Sequence, residues 1–293
     1  MTVERFANFT SAERDPGVFA AWAEAAGFDG VTCADHFFRR HAYPHVWVTL
    51  AAMAAATRRV TLASAYANNL FRSPVEFAQA ALALQRLSGG RFEAGLGAGW
   101  LADELHRAGL DWPPGPARAR RYREAITIVK DLLTMGRCTF DGDHYRVDVP
   151  VIGPTASTPI PLVASLGGPW TIANIAPLVD RVEIKFGRST RDGDLDLAAL
   201  ASVTSAELDD MVGAIRAVNA DVPIGLFVMF AAGSGPDVGR FAGAFGTGIA
   251  GEFVGEPAKV AEAIARLESH GISRVQLAEL TPGSFEALVP ALG

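Results

Sequence analysis

Short apolar runs alternate with longer amphipathic segments along nearly the whole chain. The runs are rich in Val, Ile, Leu and Phe and lack regular polar alternation, which is typical of parallel strands covered by helices. Strands are predicted at residues 5–9, 30–36, 60–67, 91–97, 159–165, 181–186, 223–231 and 273–280. Helices are predicted at residues 15–28, 45–58, 73–87, 117–134, 168–179, 205–218, 256–271 and 284–292.

Eight strand–helix units in a chain of 293 residues predict the α/β class, as a closed (β/α)₈ TIM barrel. A doubly wound open sheet is the main alternative for such a pattern. Residues 138–149 interrupt the alternation, and Asp141-Gly142 between two β-rich runs predicts a small hairpin inserted before the fifth strand. Because no segment has the composition of a linker, one domain is expected across residues 1–293.

Composition narrows the classes of function. The net charge is −6, and Lys and Arg form no large cluster, so a nucleic-acid partner is not expected. No apolar run is long enough to cross a bilayer, and the first residues lack the apolar core of a signal peptide. These features predict a cytoplasmic protein with no membrane partner.

Cysteine and histidine spacing gives no sign of a metal site. Cys33 and Cys138 belong to no ligand motif. His36, His41 and His45 lie close together in the sequence, but they have no suitable acidic partner and a proline interrupts their helical spacing. We therefore expect no metal ion.

The stretch LSGGRFEAGLGAGW, residues 87–100, combines a predicted strand with five glycines. The dinucleotide-binding spacing is nearly met, but the stretch follows three earlier strand–helix units. The next predicted strand, which would have to end in an acidic residue, lies beyond a long helix and a hairpin. In a barrel, chemistry takes place at the carboxyl ends of the strands. Gly97 and Gly99 then either clear space for a flat ligand or only allow close packing of the barrel.

LSGGRFEAGLGAGW resembles the fourth-strand segment of the bacterial luciferase-like superfamily. Ala34-Asp35-His36 resembles the Asp-His pair of its deazaflavin-dependent branch, and residues 67–91 resemble the branch's run between the third and fourth strands. TFDGDHYRV, PLVASLGGPWTIANIAPLVDRV and FVGEPAKVAEAIARLESHGISRVQL resemble further segments of the family, in the same order. The resemblance implies a TIM barrel that binds FMN or coenzyme F-420 (F420), a 5-deazaflavin, and the Asp-His pair favours F420.

His36 is the candidate catalytic residue. Hydride transfer at a carbonyl or alcohol carbon requires a proton to move at the neighbouring atom, and the pKa of histidine suits that role. Asp35 is adjacent in the predicted strand and points to the opposite face, so it is expected to be a structural partner. Glu104 is expected to anchor the loop that contains it.

Several cofactor contacts are implied by the resemblance. The third strand ends in Ser64-Ala65-Tyr66, where the branch has a bulge with a non-proline cis peptide, so Ala65-Tyr66 is the matching pair although the branch more often has Gly-Val there. Asn68 is either a cofactor ligand or a turn residue. In the family, the glycine turn after the fifth strand binds the cofactor phosphate.

In this sequence that turn is Ser165-Leu166-Gly167-Gly168, and backbone N–H groups at a helix start suit an anion. Lys185 and Arg188 either add charge to the same phosphate or form surface ion pairs.

The substrate is not revealed by the sequence. Phe9, Phe37, Trp100 and Phe230 lie near predicted strand ends and suggest an apolar or aromatic pocket. In a sugar-phosphate branch of the deazaflavin enzymes, a glutamate acts as proton donor at the position of Trp100. Because this sequence has tryptophan instead of that glutamate, a sugar-phosphate substrate is not expected, and the proton transfer is left to His36.

The leading hypothesis is hydride transfer between F420 and a small organic substrate. The alternative is a monooxygenase that uses reduced FMN and O₂ on the same barrel. A third hypothesis is a cofactor-binding protein without turnover, because residues 187–204 do not align with the family. Family members are often dimers, so a homodimer is one option for the assembly.

Overall fold

The computed structural model describes residues 3–39, 41–156, 158–190 and 193–293. The strands are β1 (Glu4–Phe9), β2 (Gly30–Cys33), β3 (Thr61–Ser64), β4 (Ala67–Asn68), β5 (Phe92–Gly97), β6 (Cys138–Asp141), β7 (Arg146–Val149), β8 (Leu162–Leu166), β9 (Arg181–Ile184), β10 (Ile224–Ala232), β11 (Val254–Gly255) and β12 (Arg274–Glu279). The α-helices are α1 (Pro16–Ala25), α2 (Val46–Ala56), α3 (Pro74–Ser88), α4 (Ala102–Arg107), α5 (Gly115–Met135), α6 (Pro169–Ile175), α7 (Leu197–Ala201), α8 (Ser205–Val218), α9 (Pro236–Phe245), α10 (Pro257–Arg266) and α11 (Ser284–Leu288).

The parallel strands close into a barrel, as the alternation of apolar runs predicts. Their order is β10-β12-β1-β2-β3-β5-β8-β9, and pairing of β9 with β10 completes the ring. β4 continues the line of β3 and pairs with β5. The antiparallel strands β6 and β7 form the predicted hairpin before the fifth barrel strand. The (β/α)₈ prediction and the hairpin are confirmed, and the doubly wound alternative is wrong.

Helix boundaries follow local signals in the sequence. Asp15 and Ser73 accept hydrogen bonds from the first turns of α1 and α3, and each of these helices starts with proline. Three helices, α4, α7 and α9, were not predicted. α4 and α7 have only six and five residues, and α9 contains glycine, which lowers helix propensity. In the described part of the chain, no helix is long and apolar enough to cross a membrane.

The amino-terminal end of the barrel interior contains a network of paired charges. Arg274 is 2% exposed, and its guanidinium lies over the ring of Phe6 at 3.8 Å. It donates to the carboxylates of Glu93, with one distance of 3.0 Å, and of Glu4, at 2.8 Å. Buried charges are tolerated when they are paired in this way, so the network closes the barrel floor without leaving a cation unpaired.

Glu183 is the exception among these interior charges. Its side chain is fully buried, and its carboxylate forms no ion pair and no well-aligned hydrogen bond among the described residues, although the polar side chains of Gln276 and Tyr66 lie beside it. Burial raises the pKa of Glu183 to about 7, against the opposing effect of Arg274 and Arg181. A Cβ atom at Gly225 would lie 2.2 Å from this carboxylate, so a side chain at that position would displace it.

Glu183 makes the stability of the barrel depend on pH. Between its ordinary pKa of 4.5 and about 7, the folded protein keeps a proton that the unfolded chain has lost, so stability falls as pH rises. The Glu183→Gln variant removes this titration. Over that range, the melting temperature of the wild type is expected to fall on the order of 5 °C more than that of the variant, because the linkage amounts to about 3 kcal/mol.

Thermal melts at half-unit pH steps check this expectation. Glu262→Gln on the exposed side of α10 is the matched control and should leave the pH dependence of the wild type unchanged. Parallel curves for the wild type and Glu183→Gln would show that Glu183 does not titrate in this range.

Candidate active site

A cavity of about 730 Å³ opens at the carboxyl ends of the barrel strands. The end of β1 and the segments that follow β2, β3, β5, β8, β9, β10 and β12 contribute to its wall, together with the start of α5. Apolar surface predominates, with a few polar side chains, which is typical of sites for small molecules and cofactors. Asp35, His36, Tyr66 and Lys185, which the sequence had singled out, are titratable side chains of this wall.

His36 is held by a buried carboxylate. Its Nδ1 lies 2.8 Å from Oε2 of Glu104, whose side chain is fully buried in the first turn of α4. The other oxygen of Glu104 accepts hydrogen bonds from the backbone N–H groups of Phe37 and Phe38, the latter at 3.3 Å. An ionised carboxylate only accepts hydrogen bonds, so it fixes the proton of His36 on Nδ1 and leaves Nε2 as an acceptor.

Aromatic groups surround the His36 ring. The indole of Trp100 meets it edge-on at 5.6 Å between centroids, and Tyr43 lies at 5.1 Å. The guanidinium of Arg39 and the ammonium of Lys185 also lie over Trp100, at 5.5 and 4.8 Å from the ring centroid. These contacts restrict rotation of the imidazole, so its position on the cavity wall is defined from several sides.

Asp35 has the structural role that the sequence predicts. Its carboxylate forms a bidentate pair with Arg72, with one distance of 3.1 Å, and accepts a 2.7 Å hydrogen bond from the backbone N–H of Asn68. The carboxamide oxygen of Asn68 accepts from the N–H of Leu70 at 2.9 Å, which is the turn role for this residue. Asn68 also lines the cavity.

The Ala65–Tyr66 peptide bond is cis, as the resemblance implies. Both residues line the cavity, and the hydroxyl of Tyr66 accepts a 3.0 Å hydrogen bond from Gln276 inside the barrel. Burial raises the pKa of Tyr66, so its hydroxyl remains protonated at neutral pH. The Ala65–Tyr66 bulge thus joins the cavity wall to the polar side chains of the barrel interior.

The glycines of β5 and the turn after it make room for this bulge. A Cβ at Gly95 would lie 1.9 Å from the carbonyl oxygen of Ser64, and one at Gly97 would lie 3.2 Å from Cβ of Tyr66. Gly99 has φ +80° and would place a Cβ 2.5 Å from the Asn68 carboxamide oxygen. Gly97 and Gly99 line the cavity, but the space beside all three is taken by the protein itself, which supports the packing interpretation.

The turn after β8 also reaches the cavity, through Ser165, Gly167 and Gly168. Lys185, just past β9, lines the same cavity, and burial lowers its pKa to about 7. Among the described residues, Lys185 forms no ion pair, and it is only partly exposed. The side chain of Arg188 lies outside the described part of the chain.

Comparison with known sequences places the chain in a family. The sequence model of the luciferase-like monooxygenase family matches residues 14–189. The chain belongs to this family. The match covers the segments that carry His36, Glu104, the Ala65–Tyr66 bulge and the turn after β8.

Curated relatives resemble part of this luciferase-like protein. An F420-dependent glucose-6-phosphate dehydrogenase of Intrasporangium calvum is 39% identical over 154 residues, which cover 50% of this chain and 46% of the relative. The enzyme of the same name from Amycolatopsis mediterranei is 34% identical over 161 residues, which cover 53% of this chain and 48% of that enzyme. The chain thus spans about half the length of the curated relatives it matches.

Solved structures share the fold over the whole chain. An F420-dependent secondary alcohol dehydrogenase in complex with an F420-acetone adduct has a TM-score of 0.80, 18% identity and 100% coverage of both chains. The long-chain alkane monooxygenase LadA has a TM-score of 0.71 and 15% identity, with 100% of this chain and 91% of LadA covered. At these identities the likeness shows the fold alone.

Five residues predicted for the site lie away from the cavity of this luciferase-like barrel. Phe9 and Phe230 are buried and pack against Phe19 and Phe285, because alternate residues of a strand face the helices. Leu166 is buried in the same helix-facing core. Ser64 hydrogen-bonds the backbone of Gly95 and holds β3 to β5.

Phe37 is the fifth of these residues. Its side chain is 44% exposed and stacks on Phe71 at 4.2 Å, outside the cavity wall. Of the four aromatic residues predicted to line an apolar pocket, Trp100 therefore lines the cavity. Other apolar side chains of the wall come from segments after β9 and β10.

Sequence reasoning missed the contact between Glu104 and His36. Glu104 was expected to anchor its own loop, and it does bind a loop, but that loop contains residues 36–38. Asn8 was also missed. It lines the cavity, donates a 2.7 Å hydrogen bond to Thr32, and its carboxamide oxygen lacks a partner in the described structure. No local pattern marks either residue.

Removal of the Glu104 carboxylate tests its structural role. Glu104→Ala leaves His36 and the N–H groups of residues 37 and 38 without their acceptor, so the free energy of unfolding is expected to fall by about 2–4 kcal/mol. Asp103→Ala, at an adjacent and exposed position, is the control and should cost less than about 1 kcal/mol. Urea unfolding measures both, and equal losses would contradict the assigned role.

Proposed function

We propose that this protein transfers a hydride between coenzyme F420 and a small organic substrate, while His36 moves the accompanying proton. The observation that carries this proposal is the His36–Glu104 pair on the cavity wall. A histidine with one ring nitrogen bound to a buried carboxylate is oriented for proton transfer at the other nitrogen.

The described residues fit F420 as a resident cofactor. The cavity lies within the range of volumes of cofactor sites. The bulge and the glycine-containing strand end, lined by Ala65, Tyr66, Asn68, Gly97 and Gly99, would hold the ring system. The turn lined by Ser165, Gly167 and Gly168, together with Lys185, would hold an anionic side chain. When bound, F420 supplies a two-electron acceptor or donor of hydride that reacts poorly with oxygen.

His36 performs the proton transfer of the proposed reaction. In the oxidation of an alcohol, its Nε2 accepts the hydroxyl proton as the C–H bond breaks, and in the reverse direction the imidazolium returns the proton to the oxygen. The carboxylate of Glu104 holds the ring and stabilises the imidazolium that forms. Glu104 is therefore a positioning residue, because it contacts His36.

The names of the relatives favour F420 over FMN. The curated relatives above are F420-dependent enzymes, and the Asp35-His36 pair resembles that branch. The family as a whole is described as luciferase-like monooxygenases, and a monooxygenase is among the structural neighbours, so FMN is the alternative cofactor. F420 binding with substrate turnover would also remove the hypothesis of a cofactor-binding protein without activity.

Direct titration distinguishes the two cofactors. We expect F420 to bind at least about tenfold more tightly than FMN, a difference of about 1.4 kcal/mol. The change in F420 fluorescence measures the first affinity, and the change in flavin fluorescence measures the second under the same conditions. Tight binding of FMN without measurable binding of F420 would exclude the proposed cofactor.

Substitution of His36 tests the proposed proton transfer. In His36→Ala, F420 affinity is expected to stay within about threefold of the wild type, whereas kcat falls about 10²- to 10⁴-fold, the usual contribution of an acid–base group. Turnover is followed by the change in F420 absorbance on reduction. His41→Ala is the control, because His41 also lines the cavity but stacks on Tyr43 at 4.6 Å.

The control variant should retain kcat within about threefold of the wild type, since stacked aromatic pairs contribute little beyond their buried area. If His36→Ala turned over as fast as His41→Ala, His36 would not be the proton-transfer residue.

A further inference from the structure

The cavity has an apolar side that neither His36 nor the cofactor-binding residues occupy. This side is formed by β10 and by the segments after β9 and β10, and its apolar side chains include Leu195, Leu197, Leu200, Met229, Phe241 and Phe253. The leucines from 195 to 200 are only partly buried by the protein. Apolar surface that lines a cavity gains free energy when a ligand removes it from water, at about 25 cal/mol per Å².

Hydrogen bonds connect the apolar side to α4 and cap its short helix α7. Gly193, at its start, accepts a 2.9 Å hydrogen bond from the N–H of Ala102 in α4. Asp196 caps α7 by accepting a 2.9 Å hydrogen bond from the backbone N–H of Ala199. Leu197 and Leu200 both belong to this helix and are three residues apart. Because residues with this spacing share a helix face, both leucines face the cavity together.

The cations of the cavity wall lie elsewhere. In the described part of the wall, Lys and Arg contribute Arg39, Arg118 and Lys185. Arg39 and Lys185 lie over Trp100, and Arg118 lies over Trp112 at 3.5 Å. No described Lys or Arg from the chain beyond Lys185 reaches the wall.

A phosphate ester placed against the described residues of this side would lose hydration without gaining a charged partner among them. Phosphate recognition uses clustered cationic or backbone donors, and an unpaired buried charge is costly. The hydroxyl of Ser189, which also lines the cavity, already donates to the carbonyl of Phe186 at 2.7 Å. The described residues of this side therefore favour uncharged over anionic substrates.

We propose that this apolar side binds the hydrocarbon part of an uncharged alcohol or its ketone, and that sugar phosphates are not substrates. This inference rests on the proposed hydride transfer. In the oxidation direction, the carbinol C–H bond breaks and its electron pair leaves as hydride, with oxidised deazaflavin as acceptor. The hydroxyl proton passes to Nε2 of His36, and the products are the ketone and the reduced deazaflavin. Ketone reduction follows the same path in reverse.

The test measures binding without turnover. Methyl ketones from acetone to 2-octanone are titrated by calorimetry into the protein with oxidised F420 present, a combination in which no hydride can be transferred. The dissociation constant is expected to fall about three- to fourfold for each added CH₂, the factor that corresponds to its burial. Glucose 6-phosphate, titrated in the same way, is expected neither to bind nor to change the F420 absorbance.

A matched pair of variants locates the binding surface. Leu200→Ala removes part of the apolar side and should weaken 2-octanone binding about tenfold while acetone binding changes less than twofold. Leu87→Ala makes the same chemical change at an exposed position near the end of α3, outside the cavity, and should leave both affinities unchanged.

Two outcomes would overturn the inference. One is an affinity for ketones that does not depend on chain length, and the other is reduction of F420 by glucose 6-phosphate. If the proposed function is wrong, F420 will not bind in the cofactor titration described above. The ketone series can then be measured on the protein without F420, so failure of the proposed function can be distinguished from failure of the proposed ketone binding.

Discussion

The carboxylate of Glu104 is the contact on which the active-site wall depends. A fully buried charge is stable only when donors replace its lost hydration. At this site the donors come from one short loop: the ring of His36 and two consecutive backbone N–H groups that follow it. The loop after β2 and the helix α4 after β5 therefore fix each other. The same contacts orient the ring of His36, so the fold of this region and the proton transfer proposed for it have one physical origin.

Close packing explains the glycines in β5 and in the turn after it, which lie between His36 and Glu104 in the sequence. Gly95 and Gly99 have no room for a side chain, because the Ser64–Asn68 segment occupies the space a Cβ would need. The sequence suggested that the glycines clear space for a flat ligand or allow barrel packing. The structure favours packing at these positions, and the packed bulge in turn forms part of the cavity wall. These glycines thus contribute to the site indirectly, because they leave space for the neighbouring Ser64–Asn68 segment that lines the cavity.

The barrel itself was predictable, because eight apolar runs with intervening amphipathic segments have few ways to bury their surfaces. Side-chain direction was harder to predict. Phe9 and Phe230 lie at strand ends, yet a shift of one residue along a strand turns a side chain from the cavity to the helices. The Glu104–His36 contact spans 68 residues of sequence, and no spacing rule connects positions so far apart. The resemblance to a family located His36, whereas its partner became visible only in three dimensions.

The family match and the two sides of the cavity divide the chain at nearly the same point. The match ends at residue 189, after the segments that carry His36, Glu104, the bulge and the turn proposed for the phosphate. The apolar side begins at Leu195 and continues through Phe253, beyond the matched region. Shared residues thus form the side proposed for the cofactor, whereas the side proposed for the substrate belongs to the part that the family model does not match. Because substrate choice depends on that second side, relatives that match about half of their length are a weak guide to it. Its apolar surface is the stronger argument, and it leads away from the sugar phosphate that those relatives are named for.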